Sequence, residues 1–179
     1  MRRIKIGKEE SRKRFWAIVF LVLLTLSTVG YAIVNSFGGS GGSSSDSGDF
    51  SLEGNYWTIL IGSQKYYFSY LPSDLENVSI SGEFGLGDYY DVPLYFTDEN
   101  QGSIEILNNL GRYILRAQEA CISEEDCDGD LPVKDCAVDN VVIFSDGDGS
   151  VRSDAKCVYL SGDSVKGADK FLYEVLKIK

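Results

Sequence analysis

Carboxylates and cysteines are the groups in this chain from which chemistry could be built. The 179 residues hold 27 Asp and Glu and four cysteines, and no histidine. Without an imidazole, Ser-His-Asp and Cys-His nucleophilic sites, His-containing zinc sites and the usual general base near neutral pH are excluded. Two carboxylates can still serve as acid and base, as in glycoside hydrolysis. Residues 50–179 carry 23 acidic side chains, however, and their spacing singles out no pair. Gly162-Asp163-Ser164 has the outline of an esterase serine. With no histidine to activate it, the serine reads better as part of a helix cap. No GxSxG, GxGxxG or P-loop pattern occurs. The expectation is therefore no catalytic residue and no cofactor.

The cysteines, Cys121, Cys127, Cys136 and Cys157, are separated by 5, 8 and 20 residues. These spacings match neither a CxxC redox motif nor paired zinc knuckles, and they favour two structural disulfides. Cys121 and Cys127 flank a short loop and can meet locally. Cys136 precedes one predicted strand and Cys157 lies in a later one. The expected pairing is thus Cys121–Cys127 and Cys136–Cys157. Asp126, Asp128 and Asp130 begin like a calcium loop, but the sixth and twelfth positions are Leu131 and Ala137 rather than Gly and Glu. Asp146 and Asp148 fail in the same way, with Val151 and Cys157 at those places. Asp-Gly pairs are ordinary turn chemistry, so no metal site is expected. Asn77-Val78-Ser79 is a glycosylation sequon and marks Asn77 as an acceptor.

The elements that must position these residues begin with a hairpin. Tyr56–Ile61 and Lys65–Tyr70 are β-branched and aromatic runs around Gly62-Ser63-Gln64. Leu94–Thr97 follows Pro93 as a short strand, read as an edge because proline lacks the ladder donor. Gln101–Ala120 reads as a helix, with Ile104, Leu107, Leu110, Ile114 and Ala117 at steps of three and four. Gly111, on that stripe, suggests close approach to the sheet. Asn140–Phe144 is a buried-strand signal, SDGDGS (145–150) a turn, Val151-Arg152 the start of a returning strand and Lys156–Leu160 another strand. The last element, Ser164–Ile178, is a helix with Ala168, Phe171, Leu172, Val175 and Leu176 on one face, capped by Asp163 or Ser164. The order β-β-β-α-β-β-β-α predicts an α+β fold. It would be a two-layer domain of a mainly antiparallel sheet with two helices on one face.

Ahead of this domain the chain is organised by Phe15–Val34, 20 residues without a charge. As a helix they would span ~30 Å, the hydrocarbon thickness of a bilayer. Trp16 and Tyr31 lie near the two ends, where such rings favour the interface. Residues 1–14 carry seven Lys/Arg against Glu9 and Glu10, a net +5. Basic residues beside a span stay cytoplasmic, which puts the C-terminal domain outside. Gly30-Tyr31-Ala32 would allow signal cleavage, but the apolar run exceeds a usual signal core of ~7–15 residues, which favours an uncleaved transmembrane anchor. Residues 35–49, rich in Gly and Ser, form a flexible linker with a reach of ~20 Å. Residues 50–179 then carry ten basic against 23 acidic side chains, a net −13. Such a domain repels phosphate backbones, so nucleic acid is not an expected partner.

Four segments carry a resemblance: Leu131–Cys136 (LPVKDC), Asp139–Phe144 (DNVVIF), Cys157–Gly162 (CVYLSG) and Ala168–Tyr173 (ADKFLY). Together with the plan of anchor and linker, the second half of the domain resembles a group of small membrane-anchored proteins of symbiotic, small-genome (DPANN-type) archaea. The group has no known activity, so the resemblance implies a place outside an archaeal cell membrane and no functional residue.

These readings lead to a membrane-anchored extracytoplasmic module that binds a protein or cell-envelope partner. The rivals are a hydrolase working through carboxylates and a structural component of the envelope. A deep pocket with paired acids would favour the hydrolase, whereas an exposed apolar patch or an open sheet edge would favour binding. The sequence leaves the oligomeric state open.

Overall fold

A computed structural model describes residues 50–125, 127 and 129–179. The basic tail, the 15–34 span and the 35–49 linker lie outside the described residues, as do Asp126 and Asp128. Among the described residues no helix is long and apolar enough to cross a membrane.

The chain opens with an antiparallel sheet of β1 (Ser51–Glu53), β2 (Tyr56–Ile61) and β3 (Gln64–Phe68), in that order. Its hairpin forms where the sequence predicts one, but Gln64, expected in the turn, pairs with Ile61, and β3 ends at Phe68 rather than Tyr70. Gly62 turns the chain at φ +63°, which a side chain would resist. The other strands are β4 (Ser79–Ser81), β5 (Pro93–Phe96), β6 (Arg116–Glu119), β7 (Asn140–Ser145), β8 (Ser150–Asp154) and β9 (Cys157–Ser161). They form one sheet in the order β4-β8-β9-β7-β5-β6. Two helices, α1 (Gln101–Leu110) and α2 (Ser164–Leu176), complete an α+β domain.

Three further expectations are corrected. The first concerns strand direction: four of the five pairings in the larger sheet are parallel, and only β8 with β9 is antiparallel. Parallel neighbours need a crossover, and α1 supplies one between β5 and β6. The observed order is β-β-β-β-β-α-β-β-β-β-α, because the three-residue strands β1 and β4 and the polar β6 carry too little pattern to read. Secondly, β5 is an interior strand between β7 and β6, not an edge. Pro93 stands at its first residue, where the missing donor matters least. Thirdly, the helix expected over 101–120 ends at Leu110, and its last third is β6. Gly111 caps α1 on the surface and makes no approach to the sheet.

The close approach belongs to Gly102. A Cβ there would lie 2.4 Å from the carbonyl oxygen of Ser164, so only glycine lets the start of α1 meet the start of α2. Asp163 caps α2 by accepting the N–H groups of Val165 and Lys166, each at 3.0 Å. Ala168, Phe171, Leu172 and Val175 are buried as their spacing predicts.

Alternation along the strands sends two sets of side chains to opposite faces of the larger sheet. Leu94, Phe96, Val142, Val158 and Leu160 join the main core with the helices and with Ile59, Tyr66 and Phe68 of the small sheet. Tyr95, Val141, Ile143 and Cys157 form a second cluster on the other face, with Ala120 and the partly buried Cys136 and Tyr159. The sheet is thus buried on both faces, as parallel sheets are. Helices cover one face, and Cys136, from the cysteine-rich stretch after β6, packs against the other.

Candidate functional site

One acid pair is brought together in the interior. Glu105, in the middle of α1, and Asp169, in the first half of α2, are 1% and 0% exposed. Their carboxyl groups are close enough to act on each other through charge and hydrogen bonding. Asp169 Oδ2 accepts the backbone N–H groups of Ser69 at 2.9 Å and Tyr70 at 2.8 Å. Ser69 donates its hydroxyl to Glu105 Oε1 at 3.2 Å. Burial, reinforced by the Glu105 charge, pushes the Asp169 carboxyl up to about 9. Burial raises Glu105 as well, against hydrogen bonds from Asp169 and Ser69 that pull it down. An acid pair that holds a proton at neutral pH is the raw material of general acid-base chemistry. Here it is sealed, so no substrate reaches it in this conformation.

The same helices cover the outer edge of β3. Asn109 on α1 accepts the Tyr67 N–H and donates to the Tyr67 carbonyl, and Tyr173 on α2 donates its hydroxyl to the Tyr70 carbonyl at 2.7 Å. The polar residues on the inner faces of α1 and α2 therefore stitch the small sheet to the helices.

An accessible site lies on the opposite face of the larger sheet, and the two disulfides build it. Cys121 is joined to Cys127 with Cα atoms 5.4 Å apart, and Cys136 to Cys157 at 5.0 Å. The second bridge ties the cysteine-rich segment to β9, and Lys156 donates its N–H to the Cys136 carbonyl at 2.9 Å beside it. The first follows the end of β6, where Cys121 pairs parallel with Val133. Cys121 donates its N–H to the Pro132 carbonyl at 3.0 Å and receives the Lys134 N–H at 2.7 Å. Between these anchors opens a groove of about 420 Å³ lined by Ile122, Val133, Lys134, Asp135, Cys136 and Asp139. Ile122 and Val133 are each 45% exposed, an apolar pair left open to water.

The polar rim of the groove is fixed. Lys134 Nζ lies 4.2 Å from the centre of the Tyr95 ring and 3.6 Å from Asp139 Oδ1. Arg116 on β6 donates to the Tyr95 hydroxyl at 3.0 Å. That bond, with Lys134 beside it, lowers the Tyr95 phenol below its usual range. Arg116 and Lys134 thus make a cationic corner on an acidic domain. β6 itself ends the sheet, with no strand on its outer side among the described residues.

The four cysteines are paired in the expected disulfides, and Cys136 lines this groove. Asn77 lies apart from it, exposed in the turn before β4. Among the described residues no group of three or more Cys, Asp or Glu gathers as metal ligands. Sequence reasoning missed Glu105 and Asp169. Asp169 carried one signal, since it stands three and four residues before Leu172 and Tyr173 on the flank of the apolar face of α2. No family model, no curated protein and no solved structure matches the chain.

Proposed function

We propose that residues 50–179 form a binding module displayed outside the cell membrane. In this reading residues 15–34 anchor the chain, and the 35–49 linker lets the domain turn toward a partner. The groove between the two disulfides receives a segment of that partner, a protein or another component of the cell envelope. The observation that carries the reading is the pair Ile122 and Val133, left open on a covalently braced frame beside the free edge of β6. Apolar side chains in a concave site with convergent polar groups are what a ligand needs. An open strand edge adds backbone donors and acceptors.

Other features support the same placement. Disulfides persist in oxidising surroundings, which agrees with a domain outside the membrane. The +5 tail ahead of the span agrees with a cytoplasmic N-terminus, and the resemblance to anchored archaeal proteins with the same address. The linker keeps the domain near the membrane and raises its effective concentration for partners there. The domain charge of −13 favours basic or cation-bearing partners and disfavours polyanions. Hydrolysis through Glu105 and Asp169 is disfavoured because both are closed to water.

The test compares the full-length protein in native membranes with a Val133→Asp variant. The variant should lose capture of the envelope partner, and wild-type capture should weaken as salt screens charges beyond ~10 Å at 0.1 M. Turnover of a glycan or peptide substrate that disappears with one Asp or Glu pair would replace this reading with the hydrolase. Neither capture nor turnover would leave the structural role.

A further inference from the structure

We infer that Glu105 and Asp169 share a single proton and form a pH-sensitive latch, which locks α1 and α2 onto the end of β3 and releases them when the proton is lost. The inference is independent of the groove and begins from an orphan atom. Asp169 Oδ2 takes two backbone N–H groups, but Asp169 Oδ1 is buried and no donor among the described residues reaches it. A buried carboxylate oxygen without a donor is costly. The cost disappears if Oδ1 carries a proton and is itself the donor. The acceptor within reach of the Asp169 side chain is the Glu105 carboxyl, which also receives the Ser69 hydroxyl. The Ser69 hydroxyl donates to Glu105, and the backbone donors are both spent on the other oxygen of Asp169. That arrangement suits a neutral Asp169 beside a charged Glu105, with one proton between them.

The surroundings offer no substitute for the proton. From α1 the neighbouring polar group is Asn109, committed to the Tyr67 peptide and to the Glu105 carbonyl. From α2 it is Tyr173, whose hydroxyl is spent on the Tyr70 carbonyl. The 3-10 turn Pro72–Leu75 brings Asp74, another negative charge acting on Tyr173. From β3 comes Tyr66, paired with the Tyr113 hydroxyl, and from just beyond it Tyr70, whose ring takes Lys166 at 5.2 Å. Among the described residues no cation contributes to the state of either acid. Loss of the proton therefore leaves two neighbouring carboxylates that share three neutral donors and have no counter-charge.

What the latch closes is set by Ser69. Its N–H goes to α2 through Asp169 and its hydroxyl to α1 through Glu105. Opening would free the outer edge of the chain from Tyr67 to Tyr70, which the helices cover. Between the ordinary acid range near ~4 and the raised value of about 9, the locked form holds one proton more than the opened form. Opening then releases that proton, so it becomes about tenfold more favourable for each pH unit gained. The latch is firm in acid and loosens in alkali.

The experiment is amide hydrogen exchange on the full-length protein in detergent, read at Ser69 and Tyr70 and corrected for intrinsic rates, from pH 6 to pH 8. In the wild type the opening constant should rise about tenfold per pH unit. Asp169→Asn supplies a permanent N–H in place of the proton and should make that profile flat. Glu105→Gln is the second variant if Asp169→Asn does not fold; with the Glu105 charge gone and burial unchanged, its profile should level off at a lower pH than the wild type. Glu99→Gln, at an exposed acid, separates the latch from general relief of negative charge and should keep the wild-type slope. A flat wild-type profile would overturn the inference. So would a wild-type slope retained in Asp169→Asn or in Glu105→Gln.

Discussion

The side-chain amide of Asn109 pairs with the peptide of Tyr67 in both directions, accepting its N–H at 2.9 Å and donating to its carbonyl at 2.7 Å. A neighbouring strand would make the same two bonds. Asn109 is wholly buried on α1, so a helix side chain finishes a sheet edge that would otherwise be open to another chain.

Replacing Asn109 by Leu keeps the bulk and removes both bonds. Two peptide groups of Tyr67 would then be left unsatisfied, at a cost of roughly 2–4 kcal/mol. Denaturant unfolding should show a lower midpoint with an unchanged slope. A midpoint equal to that of the wild type would mean that water replaces the amide and that the edge is not sealed.

The two disulfides should contribute unequally. Cys136–Cys157 closes a loop with a sequence separation of 21 and Cys121–Cys127 one of 6. Chain entropy gives about 3 kcal/mol for the first and about 2 kcal/mol for the second. Removing Cys136–Cys157 should also free the groove from β9, whereas removing Cys121–Cys127 leaves that wall in place. Thermal melts of the two double-alanine variants, with exchange measured over 131–139, check the ranking. Equal losses, or a larger loss at Cys121–Cys127, would contradict it.

These contacts differ in how far they could be read from the residues. The hairpin and α2 were legible because their signals are local: Gly62 in a two-residue turn, and apolar side chains at steps of three and four after Asp163. The first helix was misread because Ile114 and Ala117 extend its apolar stripe past Leu110. Its buried face in fact includes Ser103, Glu105 and Asn109, polar residues that hydropathy assigns to water. They are inside because Ser103 caps its own helix, Asn109 serves the β3 edge and Glu105 meets Asp169. The parallel sheet did leave a mark. Leu94-Tyr95-Phe96 and Val141-Val142-Ile143 are buried without alternation, as strands covered on both faces must be. The cysteine spacing pointed to the braced segment, but the groove depends on Ile122 and Val133 being brought to one site beyond the end of β6. No local pattern encodes that.

That a partner seats in the Ile122–Val133 groove is tested most directly by site-specific photocrosslinking in the cells that make the protein. A photoreactive residue replaces Val133 in one full-length variant and Leu60 in another. Leu60 is the sharper control because it is 63% exposed, more than Val133, yet lies on the small sheet away from the groove. The expected result is one discrete adduct from position 133 that is lost on adding Ile122→Asp, with none from position 60. No adduct at 133, the same adducts at both positions, or an adduct that survives Ile122→Asp would contradict it.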